Sequence, residues 1–186
     1  MTNRAAVFID AGYLVKVLKE FNLLKKINYH QLVTWACGED NLLRTYYYDC
    51  LPYQSPIPTE KEKDQMSKAQ RFFAALESGD RFTIRQGRLE LRGYDDKGSP
   101  IFAQKRIDLQ LGIDMVSLIV KRQVEVVLII TGDSDFVPAV QFAQQEGVIV
   151  RLVHGPKKTY HRELWRVVDE RKEITEELLY KIQLQQ

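Results

Sequence analysis

Cysteine is nearly absent from this 186-residue chain: Cys37 and Cys50 stand alone, with no CxxC pair and no Cys/His metal spacing. That leaves no basis for a disulfide scaffold or a structural zinc site, and suits a reducing compartment. Long apolar runs are missing too. None approaches the roughly 20 residues that span a bilayer, and Ala5–Ile9 passes straight into Asp10 with no signal-peptide pattern. The expectation is a soluble, cytoplasmic protein. Charge of one sign is not in excess: the net charge is +2 and the pI about 8.4. Bulk charge therefore identifies no polyanionic partner, although a local basic surface is compatible with it. Internal repeats and low-complexity segments are lacking as well, and the length suits one well-buried domain over 1–186.

What the chain does have is centred on Glu125–Pro138, EVVLIITGDSDFVP. Val126 to Ile130 form a continuous apolar run without polar alternation, the pattern of a strand buried on both faces in a parallel sheet. Gly132 permits a tight exit, Ser134 or Asp135 can cap the next helix, and Pro138 fits its first turn. Asp133 and Asp135 are thereby placed at the carboxyl end of a central strand. Open α/β sheets bind their ligands at that edge.

The rest of the chain repeats this grammar. Arg4–Asp10 is a short apolar strand ending in a carboxylate, followed by an amphipathic helix through Leu14, Val17, Leu18 and Phe21. Asn28 caps a second helix that stops at Gly38, ahead of a strand over Asn41–Leu51. Strands alternating with helices imply a mainly parallel sheet. A small hairpin and helical insertion around 52–103 interrupts the alternation. Thr59 and Glu62 make a capping box for a helix to about Ser78, and Arg81–Arg92 alternates as one or two short strands around Gly87. Helical spacing resumes over Gln104–Val120, with Leu109, Leu111, Ile113, Met115, Val116 and Ile119 available to the core. A helix to about Glu146, a strand VIVRLV, a basic loop GPKKTYHR and a C-terminal helix over about 160–183 complete the chain.

Three element ends thus contribute carboxylates: Asp10, Asp108, and the pair Asp133 and Asp135. Pairing the strand of Asp10 with that of Asp133 would bring them to one edge. Two carboxylates about 4 Å apart repel by roughly 4 kcal/mol at an effective dielectric near 20, so such a cluster needs protons or cations to neutralise it. All-oxygen ligands suit Mg²⁺ or Mn²⁺, ions that orient phosphates, activate water and stabilise a leaving oxygen. The chemistry expected is metal-dependent phosphodiester hydrolysis. Taken singly, each Asp is more often structural: Asp135 as a helix cap, Asp108 on a helix dipole, Asp10 in a turn. Asp114 is a further candidate ligand, but six residues beyond Asp108 it lies about 240° further round a helix.

AVFIDAGYL, QKRIDLQLGIDMVSL and LIITGDSDFVPAV together resemble the three signature blocks of the NYN family, the LabA-like branch of the PIN nuclease superfamily. The resemblance implies a Rossmann-like three-layer α/β/α sandwich, a Mg²⁺ or Mn²⁺ site built from Asp10, Asp108, Asp133 and Asp135, and ribonuclease activity. Two positions depart from the pattern: Tyr13 stands where Asn is usual, and Arg106 where Gly usually follows Lys105.

Basic residues flank the proposed site on both sides. Arg85, Arg88, Lys105 and Arg106 precede the Asp108 helix, while Lys157, Lys158 and Arg162 follow the last strand. Such side chains neutralise phosphates, Tyr46, Tyr48, Tyr53 or Tyr160 could stack unpaired bases, and Tyr13 lies beside Asp10. The plainer readings are a solvated charge run and core tyrosines with a wet hydroxyl. The partner expected is RNA, single-stranded, with a homodimer or a protein partner left open. Two rival functions remain at this point. One is an RNA-binding or assembly module that keeps the fold without turnover. The other is a haloacid-dehalogenase-type phosphatase, which GDSDF faintly resembles but which lacks its second Asp two positions after Asp10.

Overall fold

The structure, a computed structural model, describes residues 2–23 and 27–184. Its centre is the strand β1 (Arg4–Asp10), in which Ala5 to Ile9 are all fully buried. Alternation decides which side each residue serves. Ala5, Val7 and Ile9 face the helices α1 (Ala11–Glu20), α2 (Tyr29–Cys37) and α3 (Glu60–Glu77). Ala6 and Phe8 face α4 (Ile107–Val120), α5 (Val137–Gln145) and α6 (Arg162–Val167). Two apolar layers sandwich one sheet, giving the three-layer α/β/α architecture expected.

That sheet has seven strands. β2 (Asn41–Cys50) and β5 (Val126–Ile130) pair with β1 on either side, both parallel. Beyond β2 lie β3 (Phe82–Tyr94) and β4 (Pro100–Lys105), and beyond β5 lie β6 (Ile149–His154) and β7 (Glu170–Glu173). Within this sheet, among the described residues, only the β3–β4 pairing is antiparallel. The chain therefore runs outward from β1 in one direction, returns, and runs outward from β5 in the other. The crevice between the carboxyl ends of β1 and β5 is the topological switch point.

Local signals behave as their chemistry requires. Asn28 caps α2 and Gly38 ends it at φ +63, a left-handed conformation that glycine adopts without strain. Thr59 and Glu62 form the reciprocal capping box of α3, and Pro138 sits in the first turn of α5.

Three expectations are corrected. The helix and hairpin expected around 52–103 are present as α3 and β3–β4, but Arg81–Arg92 belongs to one long strand in place of one or two short ones: β3 pairs with β2 as far as Gly87 and then overhangs the sheet to carry β4. The helix expected from Gln104 begins at Ile107, since Gln104 and Lys105 are paired in β4. Its buried face is Ile107, Leu111, Met115, Leu118 and Ile119, while Leu109 and Ile113 are exposed. Finally, the helix over about 160–183 is broken into α6, the edge strand β7 and α7 (Glu176–Lys181). Asp169 makes the break: its carboxylate accepts from the Val150 N–H at 2.8 Å and from the Gln144 side chain at 2.9 Å. The charged ERKE run, which looks helical, serves as a polar edge that discourages further pairing.

Candidate active site

Asp10 closes β1 and caps α1. Its Oδ1 accepts the Tyr13 N–H at 3.2 Å, and its Oδ2 accepts the Thr131 hydroxyl at 3.2 Å. Thr131, fully buried one residue past β5, also accepts the Asp133 N–H at 3.4 Å. Asp133 in turn accepts the Asp135 N–H at 3.0 Å, capping the 3-10 turn Ser134–Phe136 that leads into α5. The cap is Asp133, not Ser134 or Asp135. A buried threonine thus ties the Asp10 carboxylate to the backbone of Asp133.

Asp108 reaches the same edge from the first turn of α4. Its proton affinity is raised, first by desolvation and then by the negative charges of Asp10, Asp133 and Asp135. Asp10 is raised too, by burial above all, with Asp133 adding to it against hydrogen bonds from Tyr13, Thr131 and Gly12. Asp49, the penultimate residue of β2, was not foreseen. Burial raises it, Asp10 contributes, and the Tyr47 hydroxyl and the Cys50 N–H at 2.7 Å hold it. The rule that singled out Asp10, a carboxylate closing an apolar strand, applies equally to Asp49.

Beside Asp10 and Asp133 lies an open recess of about 220 Å³, walled also by Gly12, Lys16 and His161. Lys16 donates to the Thr159 carbonyl at 3.2 Å. Gly132 is required here, since a Cβ would lie 2.4 Å from the Tyr13 ring and 2.6 Å from the Thr159 carbonyl oxygen. Lys16 escaped the sequence reading because it lies two helical turns from any motif carboxylate; only the α1 packing brings it in.

Carboxylates gathered at the β1/β5 switch point of a parallel sheet have a counterpart among known families. The NYN domain model matches residues 4–174, nearly the whole chain. The chain belongs to the NYN domain family. Its fold is that of PIN-like nucleases, and NYN domains are typically ribonucleases. Among solved structures, a protein of unknown function from Vibrio parahaemolyticus matches with a TM-score of 0.66 and 18% identity, covering 94% of each chain. That likeness shows a shared fold. No curated protein matches the chain.

Other expected site residues of this NYN domain are placed elsewhere. Asp114 turns away from Asp108, as the helix geometry required. It accepts from Arg85 Nε at 2.7 Å and Nη2 at 3.2 Å, and from the Tyr48 hydroxyl at 2.9 Å. Arg85 is thereby occupied as well, and lies over the Tyr46 ring. Tyr13 is buried: its hydroxyl meets Thr159 Oγ1 at 3.0 Å and accepts the Gly155 N–H at 3.0 Å, so it braces the loop after β6. Tyr46, Tyr47 and Tyr48 are core residues. Tyr53 packs on Phe102, and Tyr160 on His154. Lys158 is ion-paired with Glu20. Exposed Arg88 and Lys105 face each other across the β3–β4 overhang, next to Arg106. Lys157 and Arg162 are exposed on the opposite flank.

PIN-like nucleases generally use divalent metal ions. The donor set fits a hard cation in kind, being all carboxylate, and the proton affinities of Asp10 and Asp108 are raised, first by burial and then by neighbouring carboxylates that a cation would neutralise. Its spacing is loose: among the described residues no three His, Cys, Asp or Glu side chains converge closely enough to hold an ion directly. A Mg²⁺-type ion that keeps several waters and takes one or two carboxylates suits such an arrangement. Among the described residues, no helix is long and apolar enough to cross a membrane.

Proposed function

We propose that this NYN domain is a Mg²⁺- or Mn²⁺-dependent ribonuclease acting on single-stranded RNA, with Asp10, Asp108, Asp133 and Asp135 at its centre. The observation that carries the reading is the gathering of four carboxylates from three separate segments at one sheet edge, where burial and then the negative charges of Asp10, Asp133 and Asp135 raise the proton affinity of Asp108. When bound, the divalent ion supplies charge neutralisation for the phosphate and activation of the attacking water.

The chain's own residues do the rest. Asp10 and Asp133, fixed by Thr131 and by backbone N–H groups, form the rigid part of the ligand set. Asp108 and Asp135, exposed at helix starts, would complete it. Lys16 and His161 line the adjoining recess, where a cation can meet the scissile phosphate. Arg88, Lys105 and Arg106 on one flank, with Lys157 and Arg162 on the other, hold the phosphates on either side.

The loose carboxylate spacing favours a second reading, an RNA-binding module on the same fold without turnover. One experiment separates the two: incubation of purified protein with single-stranded RNA, single-stranded DNA and a phosphomonoester, with and without Mn²⁺. Metal-dependent cleavage of RNA alone is the expected result. RNA binding without cleavage would establish the second reading, and phosphomonoester hydrolysis would overturn both.

A further inference from the structure

Past Gly87, β3 and β4 leave the sheet as a two-stranded arm. Cross-strand pairing sets Leu89 opposite Gln104 and Leu91 opposite Phe102, so by strand alternation these four share one face of the arm. Phe102 is 39% exposed. Its ring meets that of half-buried Tyr53 at 5.1 Å between centroids and 39° between planes. Tyr53 lies three residues past the end of β2, on the carboxyl edge that Asp10 and Asp49 occupy. Gln104 ties the arm to that same edge. A Cβ on Gly12 would lie 3.3 Å from Asp10 Oδ1 and 3.7 and 3.8 Å from the two terminal atoms of the Gln104 amide. The amide and the carboxylate thus border one spot, and a glycine in the first turn of α1 leaves it open.

Three features select the occupant of this face. The Gln104 amide both donates and accepts, as a ribose 2′-hydroxyl does. The aromatic pair offers exposed ring surface of the kind on which unpaired bases stack. Exposed Lys105 and Arg106 follow Gln104 directly and favour a polyanion. Gln104 and Phe102 stand two residues apart on a strand, about 7 Å, so one nucleoside can reach both. We propose that the arm forms a subsite for one unpaired ribonucleotide, the neighbour of the phosphate held at the carboxylates: Gln104 hydrogen-bonds its 2′-hydroxyl, and Phe102, backed by Tyr53, stacks on its base. Its place beside a scissile phosphate rests on the ribonuclease reading above. Gln104 then supplies the preference for ribose over deoxyribose. Phe102 supplies the preference for a single strand, since a base stacked inside a duplex has no free ring face to offer.

Fluorescence anisotropy of the full chain with a short oligouridylate tests it, with Ca²⁺ in place of Mn²⁺ so that binding is read without turnover. The probes are the RNA, its deoxyribose counterpart and a ribose-phosphate strand without bases. The wild type should bind the RNA about fivefold tighter than the DNA, the ratio that one hydrogen bond sets. Gln104→Ala should bind the two alike, by losing affinity for the RNA alone. Phe102→Leu, which keeps apolar bulk against Tyr53 but offers no ring, should weaken RNA and DNA about tenfold each and leave the baseless strand unchanged. Both positions are exposed, so circular dichroism melts should match the wild type. An RNA preference retained by Gln104→Ala, or a Phe102→Leu variant that treats strands with and without bases alike, would overturn the proposal. Cleavage separates it from the reading it rests on. A protein that shows these binding differences yet leaves RNA intact in Mn²⁺ loses the nuclease reading and keeps the subsite, whereas RNA cleavage in Mn²⁺ that is indifferent to both variants overturns the subsite alone.

Discussion

Asp10 and Asp133 differ from Asp108 and Asp135 in how they are held. The first two are caps at the ends of strands fully buried on both faces: the oxygens of Asp10 accept from the Tyr13 N–H and the Thr131 hydroxyl, and an oxygen of Asp133 accepts the Asp135 N–H. Asp108 and Asp135 are exposed, in the first turns of α4 and of the 3-10 turn. The contrast teaches that a capping role and a catalytic one are not alternatives. A cap fixes a carboxylate's position, and position is what a metal site demands.

The largest expected effect breaks the pinned half. Asp10→Asn and Asp133→Asn keep an oxygen for the cap but remove the charge, so RNA cleavage should fall by roughly 1,000-fold, the order seen when transition-state charge stabilisation is lost. The melting temperature should hold or rise. The folded-state proton affinity of Asp10 lies above its ordinary carboxyl value. Its ionised form therefore costs the fold stability at neutral pH, and that cost disappears as pH falls below the ordinary carboxyl range. For the same reason the rate should begin to fall, on acidification, above that range. Near wild-type cleavage by either Asn variant, measured alongside its thermal melt, would remove the carboxylates from the mechanism. Asp10→Ala sharpens the contrast, because it should also cost about 1 kcal/mol through the lost cap, whereas Asp108→Ala, whose carboxylate makes no cap, should not.

Next in size is the response to metal. A ligand that binds only the folded state at 100 times its Kd adds about 2.7 kcal/mol of stability, so millimolar Mn²⁺ should raise the melting temperature visibly. Asp108→Ala should lose most of that shift. A wild-type melt indifferent to Mn²⁺ would leave the four carboxylates as caps and dipole partners alone.

How much of this was legible in the sequence follows from the range of the forces. The α/β/α fold could be read because Ala5–Ile9 and Val126–Ile130 carry an unbroken apolar pattern, and caps such as Thr59 with Glu62 act within one turn. The adjacency of Asp10 and Asp133 followed from parallel pairing of their strands. What stayed hidden depends on tertiary contacts. ERKE reads as helix until Asp169 binds Val150 across the sheet. The apolar face of α4 reads as core because periodicity cannot tell a stripe facing the sheet from one facing solvent. Tyr13 suggests a surface contact, yet its hydroxyl is occupied by Thr159 and Gly155, more than 140 positions away.

A smaller effect concerns the basic flank beyond β6. Lys157 and Arg162 are exposed, whereas Lys158 is held by Glu20. For a single strand, every phosphate neutralised by a basic side chain adds about 0.7 to the steepness of log K against log salt. Lys157→Ala with Arg162→Ala should therefore flatten that slope by about 1.4, and adding Lys158→Ala should change it little. Fluorescence anisotropy with single-stranded RNA across a salt series reads this directly. An unchanged slope in the double variant would move the phosphate path to Arg88 and Lys105.

The smallest effect on activity should come from Asp114, which resembles Asp108 in sequence and differs from it in company. Its carboxylate is spent on Arg85 and the Tyr48 hydroxyl. Asp114→Asn keeps an acceptor for the tyrosine and weakens a partly exposed ion pair, worth about 1 kcal/mol or less once solvent screening is counted. Cleavage should stay within about threefold of wild type, since about 0.6 kcal/mol at the site corresponds to that ratio, and the Mn²⁺-induced rise in melting temperature should persist. A 100-fold loss with the melt intact would mean that Asp114 turns from Arg85 toward the metal when RNA binds. The pinned and free carboxylates would then be joined by a third kind, one released from an ion pair by its substrate.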